Sequence, residues 1–165
     1  PFTWDGTNAA TYNYLTAGAP SADATTLAAA PTAQPTGLTF TNVTCNGMTL
    51  TWRQASSAVA GYVVLQTSGS TAPDTDPISG VVYTAGTTIG NATVVCAGAD
   101  TTVTIGSLSD NTNYNFRIYS YNGSGNGNIS YLIVSPLSGS RSSAIAASPV
   151  ATAGTEKTQI GRAHV

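Results

Sequence analysis

Ser107 to Gly123 reads SLSDNTNYNFRIYSYNG, and it joins a turn signal to a strand through one tyrosine. Leu108, Asp110, Thr112 and Tyr114 fall at every second position. Tyr114, Phe116 and Ile118 then continue the alternation opposite Asn115, Arg117 and Tyr119. A period of two over this length predicts a half-buried β-strand entered from a corner. A tyrosine at the start of such a strand can bury its ring in a sandwich core while its hydroxyl bonds backbone a few residues upstream. Tyr114 is therefore read as a structural residue.

The segments on either side repeat the pattern. GLTFTNV, from Gly37, offers Leu38, Phe40 and Val43, and GMTLTWR alternates Met48, Leu50 and Trp52 against Thr49, Thr51 and Arg53. GYVVLQTS, ending at Ser68, is apolar on both faces, as a central strand covered on each side would be. Residues 74–95 are looser, with Val81 to Thr84 and Ala92 to Cys96 as short strands. TTVTIGSL points Val103, Ile105 and Leu108 inward before the corner. The turn NGSGNGN, Asn122 to Asn128, precedes a final strand from Ile129. No segment sustains a helical period, so the prediction is an all-β, antiparallel, immunoglobulin-like β-sandwich of seven to eight strands. Trp52, Leu108 and Tyr114 are its expected structural residues.

Composition bounds the rest. The 165 residues include 17 Gly and 8 Pro, and only 7% are charged, which allows one sizeable core and a fragment of a second. No apolar run reaches the roughly 18 residues of a membrane helix. A net charge of −2 supplies no basic field to neutralise phosphates, which argues against nucleic acid as a partner.

The last residues, Gln159 to Val165 (QIGRAHV), back-translate to a string resembling the start of a short-read sequencing adapter. Residues 159–165 are accordingly read as an adapter artefact and excluded from fold reasoning. Arg162 and the only histidine, His164, lie inside that tail. Without it the chain has 5 − 1 = 4 basic residues against 7 acidic ones, a net of −3. A Ser-His-Asp triad, a Cys-His dyad and a His-ligated zinc site then have no histidine to use. No catalytic residue, metal site or cofactor is assigned, and the chain is read as non-catalytic.

The two ends of the chain echo each other. FTWDGTNAATYNYLT, from Phe2, lies over YSYNGSGNGNISYLI, from Tyr119, at an offset of 119 − 2 = 117. Phe2 meets Tyr119, Trp4 meets Tyr121, Asp5 meets Asn122, Gly6 meets Gly123, Tyr14 meets Tyr131 and Leu15 meets Leu132. Proline follows in both copies, at Pro20 and Pro136. A repeat of this length implies tandem modules. Residues 1–30 are then the C-terminal hairpin of a preceding module, 31–36 a proline-bearing linker, 37–148 one complete module and 149–158 the next linker.

Trp52, Tyr62, Val64, Leu108, Thr112, Tyr114 and the Asn122-Gly123 pair together resemble the fibronectin type III family. The corner usually carries proline where this chain has Asp110, a mild departure because Asp also favours turns. GLTFTNVT, VVYTAG, IGNATVV and TVTIGSL are similar to the tandem type III modules of large secreted proteins in Bacteroidetes-like bacteria. The resemblance implies a secreted or cell-surface bacterial protein in which the module acts as a structural spacer or interaction domain. It leaves open a glycan- or protein-binding adhesion module, and an accessory domain of an extracellular hydrolase. The partners it implies are neighbouring modules of the same chain and a glycan or protein.

The candidate interaction face is Tyr119 and Tyr121, pointing outward beside Arg117, with Arg53 sharing that face. Aromatic rings beside polar groups can stack sugars or anchor a partner, although cross-strand aromatic pairs also simply stabilise sheets. Asp74 and Asp76 in PDTDP have too few oxygen ligands nearby for a Ca²⁺ loop and read as a solvated turn. Sequons occur at Asn42, Asn91, Asn122 and Asn128, and Asp100-Thr101-Thr102 is a further glycan-acceptor candidate. In a sandwich, Cys45 falls in the turn between the first two strands and Cys96 just before the turn that leads into a later one, and those turns lie at opposite poles, a strand length of roughly 17–20 Å apart. A disulfide needs Cα atoms within about 7 Å, so two unpaired thiols are expected.

Overall fold

A strand that is apolar on both faces has to be covered on both, and the structure builds outward from that requirement. The computed structural model describes residues 24–147, together with the backbone of Trp4–Asp5 and Asn13–Tyr14. Residues 148–165, which hold the adapter-like tail and His164, lie outside the described residues. The strands are β1 (Trp4–Asp5), β2 (Asn13–Tyr14), β3 (Thr36–Thr41), β4 (Met48–Arg53), β5 (Gly61–Ser68), β6 (Thr88–Ile89), β7 (Ala92–Gly98), β8 (Thr102–Ile105), β9 (Asn113–Asn122), β10 (Ser130–Tyr131) and β11 (Leu137–Ser142). β1 and β2 pair with each other. The other nine form two antiparallel sheets of a sandwich, one ordered β3-β4-β8 and the other β10-β9-β5-β7-β6, with β11 also on β9.

Nine strands replace the expected seven or eight for two local reasons. The short hairpin β6–β7 adds one strand, and residues 132–136, with Pro136 unable to donate to a ladder, split the last strand into β10 and β11. Val81 to Thr84 is not a strand. Its amides go elsewhere, Val81 N–H to the Ile78 carbonyl at 3.2 Å and Val82 N–H to Asn126 Oδ1 at 2.9 Å.

The alternation read in the sequence sets the core between the sheets. Met48, Leu50 and Trp52 of β4 and Ile105 of β8 meet Tyr62 and Val64 of β5 and Tyr114, Phe116 and Ile118 of β9. Trp52 and Tyr62 meet edge to face with centroids 5.8 Å apart. Phe40 and Phe116 pack across the sheets at 5.6 Å. The Tyr62 hydroxyl accepts the Ala55 N–H at 2.9 Å, so this ring's polar end is satisfied inside the core. Cys45 lies in the β3–β4 turn and Cys96 within β7, and both are free thiols. Burial, followed by the nearby Asp100 charge, pushes the Cys96 thiol's pKa up.

The corner has the expected geometry. Tyr114 is buried in the core, and its hydroxyl accepts the Ser109 N–H at 2.8 Å. Buried Ser143, just beyond β11, ties the same corner to the end of that strand. Its hydroxyl donates to the Ser109 carbonyl at 2.6 Å and accepts the Thr112 N–H at 3.1 Å. Removing the Tyr114 hydroxyl leaves the Ser109 donor without its partner, so Tyr114→Phe is expected to lower unfolding free energy by about 1–3 kcal/mol. Chemical denaturation reads this as a lower midpoint at unchanged slope, and an unchanged midpoint would show that the bond contributes nothing.

Candidate functional site

The outer face of the larger sheet carries the residues singled out as an interaction surface, and it is covered. Val63 and Leu65 of β5 point to this side, and the β5–β9 register places Tyr119 opposite Val63 and Arg117 opposite Leu65. Val63, Leu65, Ile89, Ala92, Val94, Tyr119, Ile129 and Tyr131 form a second buried cluster, with Tyr83 and Tyr121 packed against it. Tyr119 is 0% exposed. The expectation of an open Tyr119 platform is thus corrected: residues 69–92 and the turn after β9 fold over it.

Specific bonds fasten that cover. The Asp74 N–H donates to Asn91 Oδ1 at 3.0 Å and the Asn91 N–H returns to Asp74 Oδ1 at 3.2 Å. The Asn91 amide and the Thr75 hydroxyl hold the Asp74 carboxyl below its ordinary pKa. The Tyr131 N–H donates to Ser79 Oγ at 3.1 Å, and its hydroxyl donates to the Val81 carbonyl at 3.0 Å. Gly80 and residues 127–129 exchange two backbone bonds, both 2.7 Å. The PDTDP turn therefore closes the outer layer, with Asp74 bonding Asn91 and Asp76 reaching the strand beneath. No group of three or more His, Cys, Asp or Glu side chains able to hold a metal occurs among the described residues.

Two arrangements stand out within the layer. Tyr119 donates its hydroxyl to Asp76 Oδ1 at 2.6 Å, and Arg117 Nη1 lies 3.7 Å from the same oxygen. The ion pair is half exposed and screened, so the phenol–carboxylate bond is the stronger tie. Beside it, Tyr83, Tyr131 and Tyr121 pack in a row, with centroids 5.9 and 5.7 Å apart. Tyr121 crosses over Gly61, its register partner, where a Cβ would lie 2.6 Å from both the Tyr121 hydroxyl and the Gly98 carbonyl oxygen. Only glycine leaves room for that ring.

Arg53 does not join this face. It ends β4 in the other sheet, and its stem passes over Gly37, so the expectation that it lies beside Arg117 is corrected. Strand alternation fixes which side of its own sheet a residue takes, but not which sheet it belongs to. Three sequon asparagines are engaged through their side-chain amides: Asn91 with the Ala72 carbonyl, Asn122 with that of Ala29 and Asn128 with that of Thr26.

The family model for the fibronectin type III domain matches residues 33–135. The chain belongs to the fibronectin type III family. Fibronectin type III domains are common non-catalytic modules of multidomain proteins and are typical of extracellular ones. Among solved structures, a computationally redesigned β-sandwich protein is similar at 22% identity and a TM-score of 0.47, covering 69% of this chain and 92% of that one. The fn3 domain of the human collagen α-1(XX) chain is similar at 21% identity and a TM-score of 0.43, covering 79% and 94%. The domain of human fibronectin type III domain containing protein 3 gives 16% identity and a TM-score of 0.42, covering 81% and 99%. Comparison with curated proteins found no match. No helix among the described residues of this fibronectin type III chain is long and apolar enough to cross a membrane.

The chemistry of the outer layer is that of buried neutral phenols. Burial, then the bond to Asp76, pushes the Tyr119 pKa from 10.0 to about 12, and burial pushes Tyr131 to about 12. A raised folded-state pKa contributes stability that is complete below the unfolded value and lost as pH rises through the folded one. Stability is therefore expected to hold up to about pH 10 and to fall between about pH 10 and 12. In Tyr119→Phe and Tyr131→Phe this alkaline fall should be shallower, as measured by denaturant unfolding across that range. An identical pH profile in both variants would show that the phenols are not held neutral.

Proposed function

We propose that the chain is part of a tandem array of fibronectin type III modules in a secreted or cell-surface protein, serving as a spacer without catalysis of its own. The observation that carries this reading is a repeated strand register. β1 and β2 pair Trp4 with Tyr14 and Asp5 with Asn13. β9 and β10 pair Tyr121 with Tyr131 and Asn122 with Ser130. Adding 117, the offset between the sequence echoes, to each number of the first hairpin gives the second. An aromatic pair and its polar neighbour thus recur in the same hairpin at the same spacing.

On this reading residues 1–30 are the end of a preceding module, 37–148 a complete one, and 31–36 and 149–158 the joints. The main partner is a neighbouring module. A glycan-binding or hydrolase-accessory role based on Tyr119 and Tyr121 needs an open aromatic platform, and Tyr119 is 0% exposed. The coding sequence upstream of Pro1 should carry counterparts of GMTLTWR and GYVVLQTS about one repeat length before those of this chain. Sequencing across that junction tests the proposal, and an unrelated fold running directly into Phe2 would contradict it.

A further inference from the structure

Residues 26–35 lead into the sandwich and are bound to it. Asn128 Nδ2 donates to the Thr26 carbonyl at 2.9 Å, the Ala28 N–H donates to the Asn128 carbonyl at 2.6 Å, and Asn122 Nδ2 donates to the Ala29 carbonyl at 3.0 Å. Pro31 and Pro35 are buried. Gln34 then fills the gap where β10 and β11 part. Its Oε1 accepts the Ser120 N–H at 2.9 Å, and its Nε2 donates to the carbonyls of Leu132 and Val134 at 2.6 and 3.2 Å. Gly123 permits this approach, since its φ is +86° and a Cβ there would lie 2.9 Å from that of Ala28. The segment is a clip across the β9–β10 hairpin.

The clip's sequence occurs twice. Leu27 to Ala33 is LAAAPTA, and Ile145 to Ala151 is IAASPVA, at an offset of 145 − 27 = 118. Ala28, Ala29, Pro31 and Ala33 recur as Ala146, Ala147, Pro149 and Ala151, and Leu27 becomes Ile145. The second copy starts where the sandwich releases its own chain. The Ala144 N–H donates to the Thr44 carbonyl at 3.0 Å, and the Ala144 carbonyl accepts the Asn111 N–H at 3.2 Å. This is the Asn113 end of β9, opposite the Asn122 end that receives the first clip. Ile145 is 72% exposed.

We propose that Ile145, Ala146 and Ala147 open a second clip, which docks on the β9–β10 hairpin of a following module of the same kind and fixes the two modules in one relative orientation. The inference rests on the tandem reading and adds a joint to it. Among the described residues Ala144 is the last bonded to its own sandwich, and Ala146 takes the place of Ala28, whose N–H is bonded to the sandwich that follows it. Only Ile145 lies between them. A single unheld residue cannot behave as a flexible tether, whose reach grows as the square root of its length. Ile145 itself takes the position of Leu27, which lies beside Gly80. Because the donor and receiver ends differ, the contact is head-to-tail and builds an open line of modules rather than a closed pair.

The test joins residues 1–151 of one copy of the chain to residues 34–165 of a second, since Ala151 and Ala33 are equivalent. Nitrogen-15 relaxation should give both sandwiches one rotational correlation time, and the Ala146 N–H should exchange about tenfold or more slowly than in the single chain. A Gly-Gly-Ser-Gly insertion between Ala144 and Ile145 should let the folded sandwiches reorient separately. Independent tumbling of the uninterrupted tandem, or an Ala146 exchange rate unchanged from the single chain, would overturn the clip. So would joint tumbling that survives the insertion. A failed clip leaves the tandem reading to the upstream coding sequence, which decides it separately.

Discussion

The rest of the molecule depends on one constraint: the central strand β5 is apolar on both of its faces. Tyr62 and Val64 face the smaller sheet, and Val63 and Leu65 face away from it. Each large apolar side chain left bare would forgo about 1.5–3 kcal/mol of burial. One covering sheet is therefore not enough, and a second cover is required. The chain supplies it from the long excursion between β5 and β7 and from the turn after β9. The Asp74–Asn91 bonds, the Tyr119–Asp76 bond and the Tyr131 bonds all serve to hold that cover down.

Much of this was legible in the sequence because it is local. Period-two alternation placed Met48, Leu50, Trp52, Tyr114, Phe116 and Ile118 in the inner core, and the corner's turn residues set Tyr114 where its hydroxyl meets Ser109. The cover over Tyr119 is not legible from alternation, which says which side of a strand a residue occupies and not what lies above it. The signal was nevertheless present. A strand with two apolar faces requires its neighbours' outward residues to be covered too, and Tyr119 sits opposite Val63. Residues 74–91 gave no comparable signal. Their order comes from side-chain bonds between distant positions, such as Tyr131 to Ser79, which no local pattern encodes.

The outer layer also changes what the module offers its surroundings. Tyrosines exposed on a sheet would make a platform for a planar ligand, but here Tyr119 and Tyr131 are buried, and Tyr121 and Tyr83 of the covering segment pack on that cluster. The hairpin end marked by Asn122 and Asn128 is engaged by the segment entering from upstream. This arrangement suits the spacer role proposed above.

Burial of Tyr119 beneath the outer layer is the direct consequence of the two-faced strand, and hydroxyl-radical footprinting read by mass spectrometry measures it residue by residue. Tyr119 should remain unmodified in the native chain and become reactive only on unfolding. Native Tyr119 reacting as fast as in the denatured chain would mean that the outer face is open and that the strand is covered on one side only.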